Sequence, residues 1–307
     1  PLMAKNIGPG DAVITTPFTY IATAEVISLL GAQPIFIDIY PDTFNIDPSK
    51  IESAVHYAKK KHLNPKAIIA VDLFGLPARY RIVKKIAKEN DLFVIEDGAQ
   101  GFGGEIRERK SGSFGHVATT SFFPAKPLGC YGDGGAIFTN DKELALKMSS
   151  IRVHGSGSDK YDNVRIGING RLDTMQAAVL LEKLNIFDTE LLLRNKIANF
   201  YLNQIEGDYI KPHIPKGYKS SWAQFSILSK SSCSRSIIME KLKKNNIPSI
   251  VYYKTPLHLQ KVFEFLGYKR GDFPVSEDVS DRIFSIPMYP YLSENDQGKV
   301  VKVLKNE

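Results

Sequence analysis

The chain has 307 residues, of which 43% are hydrophobic and 24% charged, with a net charge of +7 and an isoelectric point near 9.1. This composition is typical of a soluble globular protein, and it excludes a disordered chain and a collagen-like repeat. The two cysteines exclude a disulfide framework. The basic residues are scattered, which indicates a solvated surface or attraction of a phosphate-bearing small ligand, and no nucleic-acid partner.

No apolar run approaches the length of a membrane span, and no signal peptide opens the chain. We therefore expect a cytoplasmic protein without a membrane partner. The first ten residues have the pattern of a helix end followed by a turn. We expect a further N-terminal segment to precede them.

The first half of the chain alternates short apolar runs with helical patterns. Strands are predicted over residues 12–16, 34–39, 67–74 and 92–95, and helices over residues 22–30, 48–60 and 80–90. The strands are continuously apolar, as in a parallel sheet that helices cover on both faces. The alternation predicts an α/β fold with right-handed crossovers.

The second half has a different pattern. A long helical pattern covers residues 172–184 and extends toward residue 199, an aromatic stretch follows at 221–228, and helices are predicted over 237–246 and 294–304. We predict a large domain over residues 1–190, and a linking helix with a small α+β domain over residues 191–307.

Several common signatures are absent from the sequence. No Gly-x-Gly-x-x-Gly follows the first strand, no phosphate-binding P-loop occurs, and the six histidines lack metal-ligand spacing. We therefore expect neither a dinucleotide nor a metal.

The segment around Lys126 is the first that suggests chemistry. A predicted strand ends at Ser121, a short loop carries Lys126, and a glycine-rich turn leads into a strand over residues 136–139. A lysine buried beside a sheet has a lowered pKa because burial disfavours its charge, and a neutral amine can form a Schiff base with an aldehyde cofactor. A surface lysine in a turn is the alternative interpretation.

Asp97 is the second candidate, because it ends the predicted strand that begins at residue 92. Open α/β sheets bind ligands at the carboxyl ends of their strands. An acid there can keep a pyridinium nitrogen protonated, which lets a pyridoxal ring withdraw electrons. A cap on a following helix is the alternative interpretation.

Six segments in order resemble the DegT/DnrJ/EryC1/StrS family of nucleotide-sugar aminotransferases that depend on pyridoxal 5′-phosphate. They are residues 8–23, 95–100, 121–136, 167–177, 252–260 and 286–292. The resemblance covers essentially the whole chain. It implies an aspartate-aminotransferase-type fold, pyridoxal 5′-phosphate as cofactor, a keto group on a nucleotide-linked sugar as the acceptor, and L-glutamate as the amino donor.

The resemblance implies a cofactor role for five residues. Lys126 is the lysine that binds the cofactor aldehyde, and Asp97 is the partner of the pyridine nitrogen. Gln100 lies beside the ring hydroxyl, Tyr20 stacks on the ring, and Ser121 binds the phosphate. For Tyr20, a place in the apolar core is the alternative interpretation.

The resemblance implies a subunit or substrate role for three more residues. Asn169 contacts the phosphate in the neighbouring subunit, which implies a homodimer with shared active sites. Arg171 and His258 contact the nucleotide sugar. The alternatives are a simple turn at Asn169, a surface ion pair for Arg171 and a loop histidine with its own partner for His258.

The segment around Lys126 is most similar to family members that act on UDP-linked 3-keto-2-acetamido sugar acids in surface-polysaccharide synthesis, including lipopolysaccharide. Gly98 and Ala125 replace residues more usual in the family, but neither is a reacting group. Family members also carry, before Gly8, a Ser-Gly-Thr-like segment that binds the cofactor phosphate. Two alternatives stay open: a related sugar dehydratase, in which histidine replaces the lysine, and a cofactor-poor relative with a regulatory or assembly role.

Overall fold

A computed structural model describes residues 1–159, 161–207 and 209–305. The strands are β1 (Asp11–Thr15), β2 (Gln33–Phe36), β3 (Asn64–Val71), β4 (Phe93–Asp97), β5 (Glu105–Ile106), β6 (Arg109–Lys110), β7 (Val117–Ser121), β8 (Gly135–Phe138), β9 (Tyr218–Lys219), β10 (Phe225–Leu228) and β11 (Ile283–Ile286). The helices are α1 (Ala22–Leu29), α2 (Ile51–Lys60), α3 (Tyr80–Glu89), α4 (Lys142–Arg152), α5 (Thr174–Gln204), α6 (Ser232–Lys244), α7 (Pro274–Arg282) and α8 (Glu294–Lys305).

The central sheet has six strands in the order β2-β1-β3-β4-β7-β8. All neighbouring pairs are parallel except β7 with β8, which is antiparallel. The predicted α/β architecture with a mostly parallel sheet is therefore confirmed. Because the strands run in one direction, the carboxyl ends of β1, β3, β4 and β7 meet at one edge of the sheet.

Both faces of the sheet are buried along its central strands β1, β3 and β4, as the continuously apolar strands predict. Successive residues of β3 and β4 point to opposite faces: Ile68 and Val94 lie in one apolar core with α2 and α3, and Ile69 and Ile95 lie in the other with α4. This alternation divides each apolar strand between two cores.

Two predicted strands have different ends in the structure. β2 stops at Phe36 rather than residue 39, because it pairs only with β1 and that pairing ends at Thr15. β3 stops at Val71 rather than residue 74, because the chain leaves the sheet in a short 3-10 turn, Leu73–Gly75, in which Phe74 has a φ of +56°. The predicted helix over 237–246 begins earlier, at Ser232, where the Ser231 side chain accepts a hydrogen bond from the Ser234 amide.

The C-terminal region packs around the second half of α5. Strands β10 and β11 form an antiparallel pair, and α6 and α8 pack with them and with α5 in one apolar cluster. The predicted boundary at residue 190 falls inside α5, and the two-domain division stays a prediction. Among the described residues, no helix combines the length and apolarity needed to cross a membrane.

Candidate active site

The candidate site lies where β4 and β7 end. Asp97 is the last residue of β4 and Ser121 the last of β7. Lys126 follows in the turn after β7, where its backbone amide donates to the Phe123 carbonyl at 2.9 Å. The parallel order of the sheet thus brings together residues that come from separate segments of the chain.

The carboxylate of Asp97 is held by two donors. Thr23, at the start of α1, donates from Oγ1 to Asp97 Oδ2 at 2.7 Å, and the Ala99 amide donates to Oδ1 at 3.2 Å. The Thr23 hydroxyl has one hydrogen, so the nearby Thr19 hydroxyl, at 3.1 Å, donates to it in turn. A turn follows Asp97 and no helix begins there, so the helix-cap interpretation is wrong.

The Lys126 amine lies half-buried near Asp97. Burial lowers the pKa of Lys126, and the negative charge of Asp97 acts in the opposite direction. Lys126 does lie in a turn, as the alternative interpretation supposed, but its amine is partly withdrawn from water. Such an amine loses its proton more readily than a surface lysine, so a larger fraction of it is neutral and able to attack an aldehyde.

Gln100 has a fixed orientation. Its Oε1 accepts from the Phe74 amide at 2.6 Å, and its Nε2 donates to the Tyr253 hydroxyl at 3.1 Å. Because an amide N–H can only donate, the contact with Phe74 assigns the oxygen of Gln100 and leaves the NH₂ group facing Tyr253. The second hydrogen of that NH₂ group has no partner within the described chain.

Aromatic rings border the same space. The Tyr20 ring is 60% exposed and lies 6.5 Å from the Tyr253 ring. This exposure contradicts a place for Tyr20 in the apolar core and leaves a ring face open for stacking. Tyr253 also packs edge-on against Phe18 at 5.9 Å, and burial raises its pKa. Ser121 is half-buried, and its Oγ accepts from the Phe123 amide at 3.2 Å.

Asn169 and Arg171 lie in the loop before α5. Backbone hydrogen bonds from Ile168 and Gly170 to the end of α4 anchor this loop. Both side chains are exposed. Within the described chain, neither side chain forms a hydrogen bond or ion pair with the residues around Lys126. Nor does Arg171 have an ion-pair partner among the described residues, so the surface ion pair that the sequence left open for it is not seen.

His258 does not lie at an open surface. Its side chain is 0% exposed, its Nε2 lies 3.0 Å from Glu277 Oε1, and its ring packs edge-on against Phe273 at 4.7 Å. Burial lowers the pKa of His258 despite the neighbouring carboxylate. The expected direct contact with substrate is therefore not available in this arrangement, and the alternative of a histidine with its own partner describes it better.

Two residues at the site were given no role by sequence reasoning. Thr23 orients Asp97, and Tyr253 receives the hydrogen bond of Gln100. Both lie within segments that carry the family resemblance, which was the only signal for them. The Thr23–Asp97 bond spans 74 positions and the Gln100–Tyr253 bond spans 153, so no local spacing rule could pair them.

The residues of this site fit pyridoxal 5′-phosphate. Lys126 offers an amine of lowered pKa for an aldehyde, and Asp97 offers an oriented carboxylate for a ring nitrogen. Gln100 has a free N–H for a ring hydroxyl, Tyr20 an open aromatic face, and Ser121 a hydroxyl for a phosphate. No group of three or more His, Cys, Asp or Glu side chains that could hold a metal ion occurs in residues 1–159, 161–207 and 209–305.

The model of the DegT/DnrJ/EryC1/StrS aminotransferase family matches residues 1–305. A UDP-2-acetamido-2-deoxy-3-oxo-D-glucuronate aminotransferase of Pseudomonas aeruginosa is 43% identical over 291 residues, which are 94% of this chain and 77% of that protein. A pleiotropic regulatory protein of Geobacillus stearothermophilus is 44% identical over 304 residues, 98% of this chain and 79% of that protein.

A solved structure shows the same fold. The crystal structure of a DegT DnrJ EryC1 StrS aminotransferase from Brucella abortus is 50% identical, with a TM-score of 0.95 over 99% of this chain and 81% of that chain. This similarity confirms the predicted aspartate-aminotransferase-type fold.

Proposed function

The chain belongs to the DegT/DnrJ/EryC1/StrS aminotransferase family, and we propose that it uses pyridoxal 5′-phosphate to convert a keto group of a nucleotide-linked sugar into an amine. One observation carries this proposal: Lys126 and Asp97 lie together at the carboxyl edge of the sheet. The half-buried Lys126 amine is close enough to Asp97 for the carboxylate charge to act on its pKa. A nucleophilic amine beside a fixed carboxylate is the pair that an aldehyde-bearing pyridine cofactor requires.

When bound, pyridoxal 5′-phosphate supplies a carbonyl that exchanges amino groups and a ring that accepts negative charge. Lys126 Nζ takes up the proton from the amino-bearing carbon of the donor and returns one to the acceptor carbon. Asp97, held by Thr23 and the Ala99 amide, would keep the ring nitrogen protonated. Gln100 Nε2 would donate to the ring hydroxyl, and the Tyr20 ring would cover one face of the cofactor ring.

The substrate is a UDP-linked 3-keto-2-acetamido sugar acid, with L-glutamate as the amino donor, and the product serves surface-polysaccharide synthesis. The Pseudomonas relative, whose name specifies such a sugar acid, supports this choice. Arg171 also supports this choice, because its exposed guanidinium has no ion-pair partner within the described chain. A guanidinium can bind a carboxylate or a diphosphate through paired hydrogen bonds.

The active site is shared between two copies of the chain. Large apolar side chains are exposed in the loop before α5 and in the first turns of α5, namely Val164, Ile166, Ile168, Met175, Leu181 and Leu184. We name these residues the α5 apolar surface. Exposed apolar side chains of this kind indicate a protein–protein contact. Asn169 lies in the same segment of the chain, so we infer that a second copy seated there receives Asn169 at its own cofactor site.

A spectroscopic and product assay tests this function. The wild-type protein with pyridoxal 5′-phosphate is expected to show visible absorbance and to form an amino sugar and 2-oxoglutarate from the UDP-linked keto sugar acid and L-glutamate. Lys126→Ala is expected to lose both the absorbance and the turnover, because the cofactor has no amine to bind. The control Lys66→Ala changes an exposed lysine of β3 and is expected to keep both. Retention of both signals by Lys126→Ala would remove Lys126 from this role.

A regulatory role is the second candidate, since one relative of 44% identity is named a pleiotropic regulatory protein. The same assay separates the candidates. A wild-type protein that binds no cofactor would favour the regulatory role. A sugar product that has lost water and carries no new amino group would indicate a dehydratase, although the lysine at position 126 argues against that reaction.

A further inference from the structure

A pair of buried carboxyl groups lies directly beneath the loop that follows Asp97. Asp72, just after β3, and Glu96, in β4, are both 0% exposed. Ser111 Oγ lies between them, 2.6 Å from Asp72 Oδ2 and 2.8 Å from Glu96 Oε1. The proposed function uses none of these three residues.

The hydrogens available to this cluster can be counted. Ser111 has one hydroxyl hydrogen for two carboxyl oxygens, and Tyr80 has one for Asp72 Oδ1 at 2.7 Å and the Ala70 carbonyl at 3.1 Å. If Asp72 and Glu96 were both ionised, the two hydroxyl hydrogens of Ser111 and Tyr80 would have to serve four acceptor oxygens. Two of the four short oxygen–oxygen contacts would then contain no hydrogen. One proton on Asp72 Oδ2 donates to Ser111 Oγ and frees the Ser111 hydrogen for Glu96.

The hydrogen-bond partners assign that proton to Asp72 rather than Glu96. Glu96 accepts from three backbone amides, those of Gly112, Phe114 and Gly115. Asp72 accepts from a single backbone amide, that of Ala78 at 3.1 Å. Backbone N–H donors favour the ionised form of a carboxyl group, so the group with three of them retains the charge.

The electrostatic surroundings agree with this assignment. Burial, and next the negative charge of Glu96, raise the pKa of Asp72 well above its usual range. Glu96 of β4 and Tyr80 of α3 are the ionisable groups that act on the pKa of Asp72. Burial raises the pKa of Tyr218 of β9, Arg79 and Arg107 lower it, and Asp72 raises it. Burial and the nearby carboxyl groups of Asp72, Glu96 and Asp97 raise the pKa of the Tyr80 hydroxyl, which therefore stays a hydrogen-bond donor.

The cluster supports the loop that carries Gln100. A Cβ atom at Gly101 would collide with Asp72 Oδ2, and one at Gly98 would lie 3.1 Å from Ser111 Oγ. The backbone of this loop therefore rests on the Asp72–Ser111 contact. The Asp72 amide also donates to the Asp97 carbonyl at 2.9 Å, which ties the same support to the end of β4.

We propose that Asp72 is held as a neutral carboxylic acid, and that its hydrogen-bonded bridge through Ser111 to Glu96 positions the loop that presents Asp97 and Gln100 to the cofactor. Asp72 is thus a positioning residue that does not touch the reacting atoms. That Asp72 is protonated does not depend on the proposed function. That its bridge positions the cofactor-binding loop rests on the proposed function.

The pH dependence of stability tests the protonation. An unfolded chain releases the Asp72 proton near pH 3.9, whereas the folded chain keeps it to higher pH. Between these two pKa values the folded state holds one more proton, so this group makes stability fall as pH rises. Asp72→Asn has no such proton, but its amide can donate to Ser111 Oγ as the acid does. The folding equilibrium constant of the wild type, relative to Asp72→Asn, is expected to fall about tenfold per pH unit in this window.

A matched control and a second measurement accompany this test. Asp141→Asn, at the exposed start of α4, is expected to keep the wild-type pH dependence. A constant stability difference between the wild type and Asp72→Asn across about pH 5–8 would overturn the proposal. If Asp72→Asn does not fold, infrared spectra of the wild type with labelled aspartate decide, because Asp72 is the only buried aspartate among the described residues. A protonated carboxyl band at neutral pH supports the proposal, and its absence overturns it.

Cofactor titration tests the positioning. Asp72→Asn is expected to bind pyridoxal 5′-phosphate within about threefold of the wild type, and Asp72→Ala at least about tenfold more weakly, because alanine cannot donate to Ser111. Equal loss of affinity in both variants would overturn the need for a neutral donor. If the wild type itself binds no cofactor, the proposed function fails while the stability and infrared tests still decide the protonation of Asp72.

Discussion

The orientation of Asp97 depends on a hydroxyl from a distant part of the chain. A carboxylate at a strand end can rotate, and Thr23 stops that rotation with a 2.7 Å hydrogen bond to Oδ2. The Thr23 side chain is buried, so water does not compete for this bond. The bond leaves each oxygen of Asp97 with capacity for a further donor, which is what a protonated ring nitrogen requires.

The two expected sugar contacts differ in how open they are. His258 is enclosed and bonded to Glu277, whereas Arg171 is exposed and has no ion pair within the described chain. The sequence does not tell whether a polar residue is enclosed or open to a ligand, because burial is decided by the folded chain. Of the two, we therefore propose only Arg171 as an anion-binding residue.

We expect Arg171→Ala to raise the KM for the nucleotide sugar by roughly ten- to a hundredfold, the loss that corresponds to a charged hydrogen bond of about 1.5–3 kcal/mol. The KM for L-glutamate is expected to change much less. Steady-state kinetics with each substrate varied in turn measure both values. The control Arg107→Ala removes an exposed arginine from the turn between β5 and β6. Equal loss for both substrates would point to a damaged cofactor site rather than to sugar binding.

At the scale of elements, the two halves of the chain are joined by a helix cap that is remote in sequence. Asp38, just after β2, accepts from the Val275 amide at 2.9 Å, and from the Ser276 amide at 2.9 Å and hydroxyl at 2.6 Å, at the start of α7. A carboxylate satisfies the free N–H groups there and interacts favourably with the helix dipole. The edge strand of the large sheet thereby holds the helix that leads into β11.

Asp38→Ala is expected to lower the free energy of unfolding by about 2 kcal/mol, because the three donors of α7 and the Ile39 amide lose their acceptor. Asp141→Ala is the matched control, since it removes an exposed cap with a single local bond to the Leu144 amide, and we expect a loss of about 1 kcal/mol. Urea denaturation of both variants measures the difference. Equal losses would mean that the long-range cap adds nothing to an ordinary one.

At the scale of the whole molecule, the α5 apolar surface is the feature that a single copy does not explain. Ile166 and Met175 are each more than 80% exposed, and large apolar side chains exposed together are costly in water. A two-fold symmetric homodimer would bury these side chains against the same surface of a second copy, since an isologous contact pairs a patch with itself.

We expect light scattering to give the mass of a dimer, and Met175→Lys to shift the equilibrium toward monomer because a buried charge without a partner is unfavourable. Val262→Lys, which changes an exposed apolar residue outside the α5 apolar surface, is the control and is expected to remain dimeric. Activity should fall together with the dimer fraction. A monomer with full activity would contradict a shared site.

The sequence by itself determined the fold class, and with the family resemblance it led us to propose Asp97 and Lys126 as the central residues of the site. Continuous apolar strands alternating with helical patterns are sufficient for a parallel α/β sheet, because a parallel strand must be covered on both faces. Asp97 ends an apolar strand and Lys126 lies in the loop after another strand, and the ends of parallel strands gather at one edge of the sheet. The strand ends at Phe36 and Val71 were not predictable, because pairing with neighbouring strands decides them.

The tertiary structure alone decided which side chains meet. The contacts of Thr23 with Asp97, of Gln100 with Tyr253 and of Ser111 with Asp72 join residues far apart in the chain, and side-chain periodicity describes only near neighbours. Burial is likewise a property of the assembled fold, and it separated the enclosed His258 from the open Arg171. The shifted pKa values of Lys126 and Asp72 have the same origin, because both depend on how much water and charge the folded chain leaves around each group.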